Sequence, residues 1–184
     1  TQAGESFTQV EIVETGERRW VSLARWVEGE MLADVIERET DTAACASHMA
    51  NVGAIMAALH NQATGWTPPA GFQRHFLDAG GLMGPKPFWG PFWDQAVLSG
   101  GEREMLLAMR NQLYAALTRY GTPVRTFSLI HADLHPSNVV IDGTRTVVID
   151  FDDSGFGWHQ YDFAAALDAY QSHPDFARFC NGFI

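Results

Sequence analysis

Residues 129–153 place two short runs of β-branched residues on either side of a turn, and this stretch constrains the fold more than any other. The runs are NVVID (138–142) and TVVID (146–150). The Asp142–Gly143 pair between them is typical of a β-hairpin turn. Seven Asp and His side chains lie in the same stretch. The stretch therefore predicts a hairpin with a cluster of charged side chains at its open end.

The open end of this hairpin is a candidate site for a divalent metal. Asn138 enters the first strand and Asp150 leaves the second, so the two residues become neighbours when the strands pair. Asp133 precedes them on a connecting loop. Carboxylate and amide oxygens are ligands that suit Mg²⁺, which takes substrate phosphates as further ligands. With Asp133 free to accept a proton, the arrangement would serve phosphoryl transfer.

The rest of the chain predicts an α+β fold that opens on strands and continues mainly as helices. Two runs rich in β-formers, 7–14 and 18–27, flank Gly16, which we expect to adopt a positive φ in a hairpin turn. Apolar spacing predicts four helices and a short strand. The helices are expected at 31–39, 47–63, 102–121 and 159–173, and the strand at 127–131.

Two segments carry predictions about packing. The helix over 102–121 has an apolar stripe that we expect to lie in the core, and Gly121 should end it. The stripe consists of Leu106, Met109, Leu113, Leu117 and Tyr120. Residues 66–101 are dense in Gly, Pro and aromatics, and they predict a long irregular segment with a short helix around Phe76. Its aromatic residues either line a pocket or pin the segment to the core; these are Trp89, Phe92 and Trp93.

Composition narrows the functional class. The chain is 46% hydrophobic and 18% charged, which is typical of one compact folded unit. Its formal net charge of −10 argues against a nucleic-acid partner. No apolar run reaches the length of a membrane span, and residues 1–17 have no signal-peptide pattern. Cys45 and Cys180 fit two reduced thiols. We therefore expect a cytoplasmic protein with no membrane partner, whose oligomeric state the sequence leaves open.

The cluster resembles a known catalytic loop. The octapeptide HADLHPSN at 131–138 is similar to the H-x-D-L-x-x-x-N loop of protein-kinase-like enzymes, and Asp150-Phe151-Asp152 resembles their D-F-G, with Asp in place of Gly. Together with YDFA at 161–164, these motifs resemble the aminoglycoside phosphotransferase/choline kinase family, which includes homoserine and stress-response kinases. The resemblance is specific over 129–165 and implies a protein-kinase-like fold.

The resemblance implies roles for five residues. Asp133 would be the catalytic base for the attacking hydroxyl. Asn138 and Asp150 would hold Mg²⁺ and, through it, ATP. The backbone at Arg25 and Val27 would contact adenine in a hinge. The acceptor would be a small molecule with a hydroxyl group.

Four more residues receive expectations from the resemblance or from their position. His131 would stabilise the loop by hydrogen bonding, and a similar loop-stabilising bond is the expectation for His135. Asp152 would be structural, although a second metal ion is an alternative. Asp162 resembles a buried Asp that ties the catalytic loop to the following helix.

Departures from the family pattern sharpen the prediction. Ala132 replaces the arginine of regulated protein kinases, and only a short segment separates the D-F-D motif from Tyr161. A small-molecule kinase fits better than a switchable protein kinase. The single lysine, Lys86, lies well after the hinge, and no Gly-rich loop precedes residue 7. We therefore expect residues 1–27 to be the remnant of an N-terminal lobe and 28–184 an incomplete C-terminal lobe, with little or no kinase activity alone.

The acceptor and two rival interpretations stay open. Candidate acceptors are a choline-like amino alcohol, an aminoglycoside, homoserine, another small metabolite or a protein hydroxyl, in a groove between 66–101 and the C-terminal helices. One rival is a non-haem iron oxygenase that uses His131 and Asp133 with His159 or His173. The other is a kinase-shaped binding module without catalysis, which the missing lysine favours.

Overall fold

A computed structural model describes residues 7–184 and confirms a mixed α+β fold. This part of the chain contains eight strands and six α-helices. The strands are β1 (Phe7–Ile12), β2 (Glu17–Ser22), β3 (Glu30–Met31), β4 (Phe76–Leu77), β5 (Phe127–Ile130), β6 (Val139–Asp142), β7 (Arg145–Val148) and β8 (Gly155–Trp158). The helices are α1 (Leu32–Arg38), α2 (Thr42–Gly65), α3 (Ala79–Met83), α4 (Gly100–Tyr120), α5 (His159–Asp168) and α6 (Phe176–Phe183).

Strands β1 and β2 form the opening hairpin that the sequence predicted. They pair antiparallel from Phe7 opposite Ser22 to Ile12 opposite Glu17, and Gly16 has a φ of 67° in the turn. The second strand is shorter than expected, because residues 23–28 have no regular structure. Nearly every residue of the hairpin is exposed. The predicted division into 1–27 and 28–184 stays a prediction, and residues 1–6 lie outside the described part.

Strands β3, β6 and β7 form an antiparallel sheet that contains the second predicted hairpin. Val139 pairs with Val148, and Gly143 turns the chain with a φ of 57°. Strand β3 adds to the other edge of β6. Gly29, just before β3, has a φ of 141°, and a Cβ there would lie 2.4 Å from the Ile141 carbonyl oxygen. Only glycine permits this close approach.

A third sheet, in the order β4-β8-β5, corrects two expectations. Phe76 was expected in a short helix, but it lies in a strand that pairs parallel with β8. Strand β8 itself was not predicted, since two of the four residues in GFGW are glycines, which are depleted in strands. Packing requires glycine here: a Cβ on Gly157 would lie 2.5 Å from the Ile130 side chain. Ile130 and Leu77 are buried beside it in a small core.

The main core lies between helices α1, α2, α5 and α6 and strand β6. Met49 and Phe179 are fully buried in it, and Leu134 joins them from the loop after β5. Helix α2 begins earlier than predicted, at Thr42, because the Asp41 side chain accepts a hydrogen bond from the Ala43 backbone amide at 2.8 Å.

Two further helix predictions need correction. By length and composition α2 would suffice to cross a membrane, contrary to the expectation that no apolar run does. A core helix meets the same criteria, and α2 packs against α6 and β5. Helix α5 ends at Asp168 rather than near residue 173, and the chain continues in turns such as the Tyr170 amide bonded to the Leu167 carbonyl at 3.0 Å.

Helix α4 lies within two residues of its predicted bounds at each end but does not have the predicted environment. Ser99 and Glu102 form a capping box at its start, and Gly121 ends it with a φ of 73°. No residue of α4 is buried, and the Leu113 side chain of the expected core stripe is 42% exposed. Helix α3 is its principal packing neighbour in the described part. The expectation that this stripe lies in the core is wrong for residues 7–184.

Candidate active site

The structure brings Asp133 and Asn138 into direct contact. The Asn138 amide Nδ2 donates hydrogen bonds to the Asp133 carboxylate Oδ2 and to the Asp133 carbonyl, both at 2.9 Å. A single 3₁₀ turn, Pro136–Asn138, reverses the chain so that the two residues meet. Asn138 is buried, whereas about a third of the Asp133 side chain is exposed. The loop therefore presents the Asp133 carboxylate to solvent, while the buried Asn138 side chain holds that carboxylate in place.

Asp162, near the start of α5, anchors this loop from below. Its carboxylate accepts hydrogen bonds from the backbone amides of His131 at 3.0 Å and Ala132 at 2.7 Å. The third partner is the His60 ring of α2, whose Nε2 lies 2.8 Å from Asp162 Oδ2. Asp162 is 1% exposed. The prediction that Asp162 ties the loop to the following helix is confirmed, and α2 joins the same anchor.

His131 links the loop to the end of β7. Its Nδ1 accepts from the Asp133 amide at 3.3 Å, which leaves the proton on Nε2 to donate to the Ile149 carbonyl at 3.0 Å. The ring also packs against Phe151, with centroids 4.6 Å apart. Both nitrogens are thus occupied by backbone partners, as expected of a loop-stabilising residue.

These contacts leave no support for the iron-oxygenase interpretation. His159 Nε2 lies 2.9 Å from the Ser128 hydroxyl, and His173 Nδ1 accepts from the Asp175 amide at 3.1 Å. Among residues 7–184, no group of three or more His, Cys, Asp and Glu side chains is placed to hold a metal ion. His131 faces backbone, so it does not form a triad with Asp133.

The hairpin pairing continues one step beyond the strands, to Asn138 and Ile149. The Ile149 amide donates to the Asn138 carbonyl at 3.0 Å, and Asp150 follows immediately. Asp150 is exposed and has a φ of 62°, while Ala132 on the loop has a φ of 70°. Positive φ in residues other than glycine costs about 1–3 kcal/mol and is concentrated at functional sites. Ala132 directly precedes Asp133, and Asp150 follows the second strand of the hairpin.

The side-chain oxygens of Asn138 and Asp150 are ligand atoms that suit a divalent cation with bound phosphate. Asn138 commits Nδ2 to Asp133, so its Oδ1 is the atom available to a metal. Asp150 has an exposed side chain and follows Ile149, whose backbone amide bonds to the Asn138 carbonyl. Hard oxygen ligands of this kind fit Mg²⁺ or Ca²⁺. Arg25 is exposed and Val27 half-buried in the segment before β3. Within residues 7–184, no hydrogen bond joins either of them to this group.

A cavity of about 490 Å³ opens in front of Asp133. Its lining includes Trp89 of the irregular segment and Tyr161 and Asp168 of α5. Burial raises the pKa of the Tyr161 hydroxyl, and the nearby Asp133 carboxylate acts in the same direction. Sequence reasoning missed both α5 residues, although Tyr161 is the first residue of the YDFA motif.

The aromatic residues of the irregular segment divide between the two roles considered for them. Trp89 lines the cavity. Trp93 instead lies beneath the Arg110 guanidinium of α4, 5.2 Å from the ring centroid, and packs edge-on against Phe92 at 5.0 Å. One aromatic residue therefore lines a pocket, and the other two hold the segment against α4.

His135 lies closer to the Asp133 carboxylate than the sequence indicated. Its Nδ1 accepts from the Ser137 amide at 3.2 Å, which is the expected loop-stabilising bond. Its Nε2 lies 3.4 Å from Asp133 Oδ2, a contact that the sequence did not predict.

Comparison with known proteins defines the class of this chain. Residues 7–183 match the phosphotransferase enzyme family, so the chain belongs to that family. No curated protein sequence is significantly similar to it.

Two solved structures share its fold. One is a microcompartment-associated aminopropanol kinase, 28% identical, with a TM-score of 0.75 over 100% of this chain and 55% of that one. The other is the amicoumacin kinase hAmiN in complex with AMP-PNP, Ca²⁺ and Ami, 15% identical, with a TM-score of 0.72 over 98% of this chain and 52% of that one. The chain thus spans about half the length of these kinases, and the protein-kinase-like fold predicted from its motifs is confirmed.

Proposed function

We propose that this chain is the catalytic lobe of an ATP-dependent kinase that phosphorylates a hydroxyl group of a small cationic molecule, an amino alcohol. The observation that carries the proposal is the Asp133 carboxylate, held by Asn138 at the mouth of a cavity with acidic and aromatic walls. Membership of the phosphotransferase family supports the reaction class. The likeness to an aminopropanol kinase supports the acceptor class.

Asn138 and Asp150 are the residues we assign to Mg²⁺, with ATP bound through its phosphates. Such a metal ion, when bound, neutralises charge on the transferring phosphoryl group. The donor set supports this assignment, because the Asn138 amide oxygen and the Asp150 carboxylate lie on neighbouring residues of the hairpin end. Arg25 and Val27 keep their proposed role as backbone contacts to adenine.

Asp133 is proposed to accept the proton of the acceptor hydroxyl as that oxygen attacks the γ-phosphorus. Catalysis of phosphoryl transfer depends mainly on positioning, so the anchoring of this residue matters as much as its basicity. Its main-chain amide is held by His131, and its Oδ2 by Asn138. In residues 7–184 the structure gives Oδ1 no hydrogen-bond partner, and Oδ1 is the oxygen we assign to the hydroxyl.

The cavity walls favour an acceptor with a positive charge. Asp133 and Asp168 supply two carboxylates, and the rings of Trp89 and Tyr161 supply π-faces. Ammonium groups bind such surfaces through ion pairing and cation–π attraction. One carboxylate oxygen of Asp168 accepts a hydrogen bond from the Gln171 side-chain amide at 2.6 Å. This leaves the other oxygen for a ligand. No Lys or Arg is among the residues that line the cavity in the described part.

We further propose that this chain alone turns over little or no ATP. The single lysine, Lys86, lies in bends after α3, well removed in sequence from the opening strands. A kinase needs a lysine on its N-terminal sheet to hold the ATP phosphates. Robust ATPase or phosphotransferase turnover by residues 1–184 alone would contradict this part of the proposal.

The proposal is tested by an acceptor screen on the longer parent protein with ATP and Mg²⁺. Each amino alcohol is paired with the alcohol that lacks its amine, for example 1-amino-2-propanol with 2-propanol, and homoserine, choline and an aminoglycoside complete the panel. We expect phosphorylation of the amine-bearing members and a loss of at least about 100-fold in kcat for Asp133→Ala. Asp142→Ala, a carboxylate in the hairpin turn away from the cavity, is the matched control and should keep full activity.

A second variant tests the acceptor class separately from the chemistry. Asp168→Asn should raise KM for amino alcohols about tenfold or more, with little change in kcat, because it removes one charge from the ammonium site. Activity on the uncharged alcohols alone, or an Asp168→Asn variant with unchanged KM, would contradict the cationic acceptor. Full activity of Asp133→Ala would contradict the kinase mechanism itself.

A further inference from the structure

The imidazole of His135 is directed at the carboxylate that we assign as the base. Its Nε2 lies 3.4 Å from Asp133 Oδ2, the oxygen that also accepts from Asn138 Nδ2 at 2.9 Å. His135 lies on the rim of the cavity in front of Asp133, and about two-fifths of its side chain is exposed. Neither the loop motif nor the family resemblance assigned it more than a loop-stabilising role.

The hydrogen bonds of His135 determine which ring nitrogen carries the proton. Nδ1 accepts from the Ser137 backbone amide at 3.2 Å, so in the neutral ring Nδ1 has no proton and Nε2 has one. Nε2–H then faces Asp133 Oδ2 at 3.4 Å, an electrostatic contact between a polar N–H and a carboxylate that is longer than an ordinary hydrogen bond. Asn138 Nδ2, 3.4 Å from Nε2, is a donor as well, so these two groups do not bond to each other and both are directed at the carboxylate.

We propose that His135 is a positioning residue for Asp133. The hydrogen bond from Asn138 and the electrostatic contact with His135 Nε2–H oppose rotation of the carboxylate and keep Oδ1 toward the cavity, where the acceptor hydroxyl would lie. The inference rests on the proposed function, since it assumes that Asp133 is the base. A rotated carboxylate would lose alignment with the hydroxyl, and misplacement of about 1 Å costs up to about 100-fold in rate.

A competing explanation is that His135 only caps the 3₁₀ turn. It is the residue before that turn, and its bond to the Ser137 amide stabilises the turn whether or not Asp133 is a base. The two roles use different ring nitrogens, so they can be separated. Asparagine places an acceptor near the position of Nδ1, and glutamine places a donor near the position of Nε2.

The test compares His135→Gln and His135→Asn in the parent protein, with kcat, KM for the acceptor and Tm measured for each. We expect His135→Gln to lower Tm while keeping kcat within about threefold, since it retains an N–H group that faces the Asp133 carboxylate. His135→Asn should keep Tm, leave KM unchanged and lower kcat about tenfold or more. Asp142→Ala again serves as the control.

The outcomes distinguish this inference from the proposed function. If Asp133→Ala stays active, the assignment of the base fails, and the positioning role of His135 fails with it. If Asp133→Ala is inactive but His135→Asn keeps full kcat, or both His135 variants lose kcat together with Tm, the positioning role is wrong.

Long-range ¹H–¹⁵N spectra of the unaltered protein give a second readout that needs no activity. In the neutral imidazole, His135 should be protonated at Nε2. Protonation at Nδ1 would overturn the proposal even if a variant failed to fold.

Discussion

The catalytic loop and helix α4 show opposite relations between sequence pattern and burial. The loop, HADLHPSN, is polar in sequence, yet His131, Leu134 and Asn138 are each at least 93% buried. Helix α4 is regularly amphipathic, yet no residue of it is buried in the described part. Burial in the loop depends on partners that only the tertiary structure supplies, the main one being the Asp162 carboxylate.

The difference teaches that periodicity identifies an element but not its neighbours. An apolar stripe predicts a helix with one face suited to a core. Helix α4 has such a face, but no core covers it within residues 7–184. A polar loop can lie inside the protein if each buried donor has an acceptor. The predictions below test this contrast, beginning with the largest expected effect.

Loss of the Asp162 carboxylate should destabilise the protein most. Asp162→Ala leaves the His131 and Ala132 amides and the His60 ring without their buried acceptor. Removal of one partner from a buried charged network costs about 3–5 kcal/mol. Urea unfolding at neutral pH would measure the change, and Gln160→Ala, an exposed residue of the same helix, is the control. A loss below about 1 kcal/mol would show that the loop does not depend on this anchor.

A matched pair of leucines compares the two regions directly. Leu134 of the catalytic loop is 1% exposed and packs in the main core, whereas Leu113 of α4 is 42% exposed. Leu134→Ala should cost about 2–5 kcal/mol through lost burial and a cavity. Leu113→Ala should cost less than about 1 kcal/mol, because most of its contact is with solvent. Equal losses in urea unfolding would mean that α4 packs more tightly than its exposure indicates.

A smaller effect should appear in the pH dependence of stability. Burial lowers the pKa of His159, and the stacked His60 ring acts in the same direction. The unfolded chain therefore binds a proton more readily than the folded one. The stabilisation is fully present above the ordinary His pKa of about 6.5 and is lost as the pH falls toward the lower folded value.

His159→Gln should flatten this acid-side slope. The free energy of unfolding, measured from about pH 8 to pH 5, should fall less steeply in the variant than in the unaltered protein. A residual slope is expected, since burial also lowers the pKa of His75. An unchanged slope in His159→Gln would show that this ring does not contribute.

Much of the candidate site could be predicted because its information is local. The NVVID and TVVID runs and the Asp142–Gly143 turn specify a hairpin, and a hairpin brings its two ends together wherever it packs. Asn138 and the residue before Asp150 are accordingly joined by a backbone hydrogen bond. The contact between Asp133 and Asn138 spans only five residues, so a short turn suffices to form it.

The features that were missed depend on contacts between distant segments. Strand β8 is stabilised by pairing with β4 and β5, and the glycines that permit this pairing conceal it in the sequence. Trp89 and Tyr161 line the same cavity, although more than seventy residues separate them in sequence.

The sequence by itself determined whether most segments form a helix or a strand. It also determined the hairpin and the identity of the residues around its open end. Propensity, periodicity and turn chemistry act over a few residues, so a linear pattern records them. Tertiary structure alone decided which polar groups are buried and that the apolar face of α4 is exposed. These outcomes depend on which surfaces meet across long stretches of chain, and no local pattern contains that information.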